Sequence, residues 1–173
     1  LHPTHTNWFV FLINKGEIFM TNDLIIAVVG GIIGTAIMTG MMLIGRMMKL
    51  PAVDAHGILG YMLYSDRPSP VGYVIHWVMG IILAFGYVIG FRIIAGDIII
   101  LGVIFGIIHW IAVGWMFAFA PIVHAGMKAG TVQPTGAYML KSLGFLGFIA
   151  GMIGHIVFGI VVALIYMGLG GNL

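Results

Sequence analysis

Residues 70–95 read PVGYVIHWVMGIILAFGYVIGFRIIA, with Arg92 as their one formal charge. Crossing the hydrocarbon core of a bilayer takes about 20 apolar residues in a helix. This stretch is long enough, with Ser69 placed to cap it and Pro70 at its first helical position. Three more stretches have the same character, at about 24–45, 98–121 and 143–168. The expected fold is all-α. It is a polytopic membrane protein whose four transmembrane helices form two tandem pseudo-symmetric hairpins, in one domain over residues 20–173. A tight turn around Arg92 to Asp97 joins the second and third spans, and the other two connections are longer and more polar.

Composition leads to the same class. Of 173 residues, 61% are hydrophobic and 7% charged, against about 25% charged in soluble domains. So short and apolar a chain belongs in lipid. The formal net charge of +2 is too small to point to nucleic acid. The absence of cysteine excludes disulfides, thiolate metal sites and iron–sulfur clusters. P-loop, dinucleotide, Gly-x-Ser-x-Gly and His-Glu-x-x-His signatures are missing. No acidic residue falls inside the core of an expected span, which argues against a carboxylate-driven pump. Five of the 13 methionines, Met38, Met41, Met42, Met47 and Met48, cluster in and after the first span and suit copper by their thioethers, but methionine is more often flexible filler.

Orientation follows from the basic residues. Arg46, Lys49 and Arg67 follow the first span, Lys128 and Lys141 follow the third, and Arg92 lies on the opposite side. The positive-inside rule then places loops 46–69 and 122–142 in the cytoplasm and both termini outside. Within the first loop, Ala52 to Tyr64 is expected to form a short helix on the membrane surface, with Tyr61 and Tyr64 at headgroup level. Residues 1–19 have no helical period and end KGEIF before Met20. The codons for Lys-Gly-Glu can spell a ribosome-binding site, so 1–19 reads as a non-native or disordered extension. The rival reading is an interfacial segment built on Trp8, Phe9, Phe11 and Leu12.

A pattern recurs inside the apolar segments. GYVIHWVMGIILAFGY (72–87) and GMIGHIVFGIVVALIY (151–166) both fit G-x-x-x-H-x-V-x-G-I-x-x-A-x-x-Y. Positions four apart on a helix form one slowly turning stripe. Gly72, Gly80 and Ala84 make one such stripe around His76; Gly151, Gly159 and Ala163 make the other around His155. Stripes of small residues are where membrane helices approach closely, so both histidines should face protein. A parallel repeat would set them at similar depth about a pseudo-two-fold axis. His76 precedes Arg92 by sixteen residues, about 24 Å of helix, which puts it in the cytoplasmic half of the core.

Three chemistries stay open for these imidazoles. His76 and His155 can be axial ligands of a b-type haem or another tetrapyrrole. They, with His109 in the third span as a third ligand or relay group, can hold a metal ion or relay protons. Or each simply hydrogen-bonds a neighbouring helix, for example at Thr35 or Thr39. His109 is expected to lie further toward the outside than His76. Near the cytoplasmic face, Asp54, His56 and His124 supply carboxylate and imidazole for a divalent cation.

The stretches GTAIMTGMM (34–42), VIHWVMG (74–80), FAPIVHAGM (119–127) and GHIVFGIVVALIY (154–166) resemble a family of small four-helix integral proteins of prokaryotic membranes, over Asp23 to Gly168. The resemblance implies four spans in a cytoplasmic membrane and no particular activity. The leading expectation is a non-catalytic integral membrane subunit or scaffold, packed on itself as a homo-oligomer or in a larger membrane complex. A haem b electron-transfer subunit is second. A small-molecule or metal permease is third.

Overall fold

The computed structural model describes residues 21–50, 55–61 and 68–171. Every regular element among them is helical, and four helices are long and apolar enough to cross a membrane. Residues 1–19 and Asp54 lie outside the described residues. In chain order the elements are α1 (Thr21–Met47), α2 (Ala55–Tyr61), α3 (Pro68–Ile93), α4 (Ile98–Met116), α5 (Ala120–Val123), α6 (Ala125–Lys128) and α7 (Leu140–Gly168), with short 3₁₀ turns at Phe117–Phe119 and Ala137–Met139.

The helix ends have local causes. α1 stops where Lys49 turns left-handed, with its N–H on the Arg46 carbonyl and the Leu50 N–H on the Gly45 carbonyl. This double bond is the Schellman closure, here with lysine where glycine is usual. Gly170 closes α7 in the same way through Gly171 and Tyr166. Asp97 caps α4, its side chain accepting from the Ile100 N–H at 3.0 Å. The entry to α7 begins earlier than the expected 143. It passes through left-handed Tyr138 and Met139, and the helix kinks at Gly144. The Tyr138 ring lies over Gly114, and its hydroxyl donates to the Ile111 carbonyl at 3.0 Å. That anchor on α4 holds a backbone conformation that non-glycine residues seldom adopt.

Two hairpins result, α1 with α3 and α4 with α7, and they meet chiefly through α1 against α7. Glycine sets each close approach. A Cβ at Gly31 would sit 2.6 Å from the Ile81 Cα, and one at Gly106 2.6 Å from the His155 carbonyl oxygen. Gly102 faces the Gly159 backbone, and the Trp110 ring lies over Gly151. Thus Gly102, Gly106, Trp110 and Gly114, four apart on α4, form the counterpart of the α7 stripe. By contrast, α3 and α4 share a short turn and then barely touch.

The loop helix α2 forms where the sequence indicates, but in a different setting. It docks on α3 with His56, Gly57, Ile58 and Gly60 buried. Gly72 makes this possible, because any Cβ there would overlap the His56 carbonyl. Gly72 therefore seats the loop helix, while Gly80 packs on Thr35 of α1 and Ala84 and Ala163 are fully buried.

Candidate functional site

The end of the bundle carrying α2, α5 and α6 is here called the loop face, and the end at residues 94–97 the turn face. A row of imidazoles runs inward from the loop face. His56 on α2 stacks on Tyr73 at 3.8 Å between ring centroids and meets His76 of α3 edge-on at 5.0 Å. His76 lies within charge-interaction range of His155 on α7 and His109 on α4. The His155 and His109 rings are edge-to-face at 4.5 Å. His109 Nδ1 lies 3.1 Å from the Tyr87 hydroxyl back on α3. Two contact groups result, His56–His76 near the loop face and His155–His109–Tyr87 deeper in the bundle, and among the described residues no ring contact or hydrogen bond joins His76 to the second group.

Helix α1 serves as a ruler for their depth. Gly34 meets Phe158, and Gly31 meets Gly80 and Ile81, which sets His76 and His155 within about a helical turn of each other. His109 sits beside His155, and its contact with Tyr87, eleven residues beyond His76 on α3, sets it further toward the turn face than His76, as the sequence indicates.

Hydrogen bonding gives the row its chemistry. His155 Nδ1 donates to the Gly151 carbonyl at 2.7 Å, which leaves Nε2 as the basic nitrogen. If the Tyr87 O–H donates to His109 Nδ1, the His109 proton sits on Nε2. Among the described residues neither His76 nor His155 bonds Thr35 or Thr39; His76 Nδ1, Thr39 Oγ1 and Trp110 Nε1 are buried without a hydrogen-bond partner there. Each such orphan costs about 1–3 kcal/mol unless it is satisfied.

A tetrapyrrole does not fit between His76 and His155. Trp110 covers Gly151 and tilts on His155 at 5.1 Å, His109 occupies the adjacent space, and Phe158 fills the face of Gly34. Nor do His56 and His124 share a site with each other. His56 turns to Tyr73 and His76, while His124 caps α6 by accepting from the Met127 N–H at 3.3 Å and packs on Tyr61. Among the described residues no group of three or more His, Asp or Glu is placed to hold a metal ion.

The gap between α3 and α4 is a groove of about 280 Å³. Its walls are apolar, with Leu83, Gly86 and Gly90 facing Phe105 and Ile108, and the Tyr87–His109 pair is its polar feature. Inside the bundle, alongside the groove, Phe91, Phe158, Ile26 and Val162 form an apolar layer with Phe105 packed against it, while the groove itself runs outside this layer as far as Ile94 at the turn. Past that layer lies a second polar cluster, which sequence reading missed. Asp23, only 1% exposed, lies 3.1 Å from an Arg92 terminal nitrogen, and the Arg92 guanidinium also hydrogen-bonds Tyr166. The signal was there: α1 begins and α3 ends at the same face, each with one charge of opposite sign.

Comparisons with protein-family models, with curated proteins and with solved structures return no match. The site therefore has to be read from its own geometry.

Proposed function

We propose that this chain is a non-catalytic integral membrane subunit that relays protons from one face of the bilayer to a site inside its own bundle. The observation that carries the reading is the succession of two contact groups, His56–His76 near the loop face and His155–His109–Tyr87 deeper in the bundle; the proposed relay joins them across the His76–His155 gap. Ionisable groups inside a bilayer are costly and mark proton or substrate paths. Neutral imidazole suits the task because it holds a donor and an acceptor on opposite sides of one ring. A ring flip turns edge contact into an N–H···N hydrogen bond, so a proton can enter at one nitrogen and leave at the other.

The relay is one-sided. The apolar layer built on Phe91 and Phe158 separates Tyr87 from the Asp23–Arg92 pair. A path that stops at mid-bundle serves an internal site, and this disfavours a permease. The excess of basic residues in loops 46–69 and 122–142 puts the open end in the cytoplasm.

The test is one-sided isotope exchange. Protein with ¹⁵N-labelled histidine is reconstituted in oriented bilayer vesicles, and D₂O is delivered to the loop face. Solid-state NMR follows loss of the His109 N–H signal. The wild type should exchange readily, and His76→Phe should slow exchange strongly while leaving helicity and elution volume unchanged. Equal exchange in the two proteins, or faster exchange from the turn face, removes the relay.

A further inference from the structure

A relay that ends at a groove raises the question of what occupies the groove. The Tyr87–His109 pair forms its polar wall. Gly86, Ile94 and Ile108 at its margins are exposed on the outer surface of the bundle, so whatever enters comes from the lipid. A Cβ at Gly86 would meet nothing within 4 Å. The helix backbone there is bare against open space, as a flat group lying along it needs.

We propose that the α3–α4 groove binds a lipid-soluble quinone, with the ring oxygen on the Tyr87–His109 pair and the isoprenoid tail leaving between the helices. The proposal rests on the relay reading for its choice of occupant. An ordinary acyl chain fills apolar space but offers no acceptor to an imidazole N–H. A quinone carbonyl accepts from His109 Nε2–H, and a quinol hydroxyl donates to the same nitrogen in its other tautomer. Phe105 and Tyr87, edge-to-face at 5.6 Å, present aromatic surface to the ring. The groove's 280 Å³ is just below the roughly 300–1,000 Å³ typical of small-molecule sites. That suffices for one ring and the first part of a tail, with the remainder in lipid. The proposal covers binding and hydrogen bonding; no electron transfer is assigned to the chain.

The probe is decylubiquinone carrying an aryl azide on its tail, photolysed with the full chain in lipid nanodiscs and mapped by peptide mass spectrometry. Labelling is expected within 83–94 and 105–109, displaced by excess decylubiquinone and not by equal oleate. Gly86→Leu fills the open space and His109→Phe removes the polar partner. Each should lower labelling about tenfold, equivalent to about 1.4 kcal/mol. Displacement by oleate as effective as by quinone makes the groove an acyl-chain crevice and overturns the proposal. So does label spread over all lipid-facing helices. Both outcomes are read on the wild type, so they hold whether or not a variant folds. His56→Phe separates the two readings. It breaks the relay far from the groove, and quinone labelling should stay at the wild-type level. Labelling lost in this variant overturns the groove as a separate binding site, and failed proton exchange with intact labelling removes the relay alone.

Discussion

The Asp23–Arg92 pair offers the sharpest test of how the turn face is held. Asp23 has 2% of its side chain exposed and Arg92 22%, so the two halves of the pair should respond differently. Arg92→Met leaves a carboxylate with almost no access to water, and breaking a buried pair in this way costs about 3–5 kcal/mol. Asp23→Asn leaves a guanidinium that can still reach solvent and keeps its hydrogen bond with Tyr166, so the loss should be nearer about 1–2 kcal/mol. Both charges also favour their own helix ends, Asp23 in the first turn of α1 and Arg92 in the last turn of α3. That adds about 0.3–1 kcal/mol each. The double variant Asp23→Asn/Arg92→Met holds no bare charge, so it should be more stable than Arg92→Met alone. The assay is reversible unfolding in mixed dodecyl maltoside and sodium dodecyl sulfate micelles, followed by tryptophan fluorescence. The reasoning fails if the two single effects simply add in the double variant, or if Asp23→Asn is the more damaging change.

Two further predictions use the same assay. Gly106→Ala should destabilise by about 1–3 kcal/mol, as overpacking does, because its Cβ would sit 2.6 Å from the Ile156 Cα; Gly86→Ala, open on that side, should change stability far less. Equal effects would mean that helix propensity and not packing governs these glycines. Tyr138→Phe loses the bond to the Ile111 carbonyl and should cost about 0.5–1.5 kcal/mol, with faster hydrogen exchange at the start of α7; unchanged exchange would mean that the ring alone holds the kink.

The spans were legible because bilayer thickness imposes a length and an apolarity that a single sequence displays. So was the inward direction of His76 and His155, since stripes of small residues betray a packed face. The relation between those stripes was not legible. Residues 72–87 and 151–166 share a pattern, yet Tyr87 meets His109 while Tyr166 meets Arg92. Which imidazole reaches which neighbour depends on the register of one helix against another. On α4, the glycine repeat at 102, 106 and 114 is interrupted by Trp110, and that bulk opposite Gly151 locks the register. The place of His56 was hidden for another reason. Periodicity gives a seven-residue loop helix no direction, and only the clash that a side chain at Gly72 would cause reveals where it docks.

The contrast between the two inter-hairpin seams explains why the polar row ends where it does. Where α1 meets α7, Gly30 and Gly34 receive Val162 and Phe158, so the backbones close and nothing enters. Between α3 and α4 the meeting residues are large. Phe105 lies over Gly90 and stacks on Phe91 at 5.5 Å, and Tyr87 sets its ring edge against Phe105. Rings of this size hold the helices apart once the turn at 94–97 has released them, and the space left below is the groove. Inside the bundle, the same rings stand between Tyr87 and the Asp23–Arg92 pair. One aromatic cluster therefore keeps the seam open sideways to lipid and closed along the bundle axis. Replacing Phe105 with leucine should loosen that seal first, admitting turn-face deuterium to His109 while the loop-face path through His76 persists.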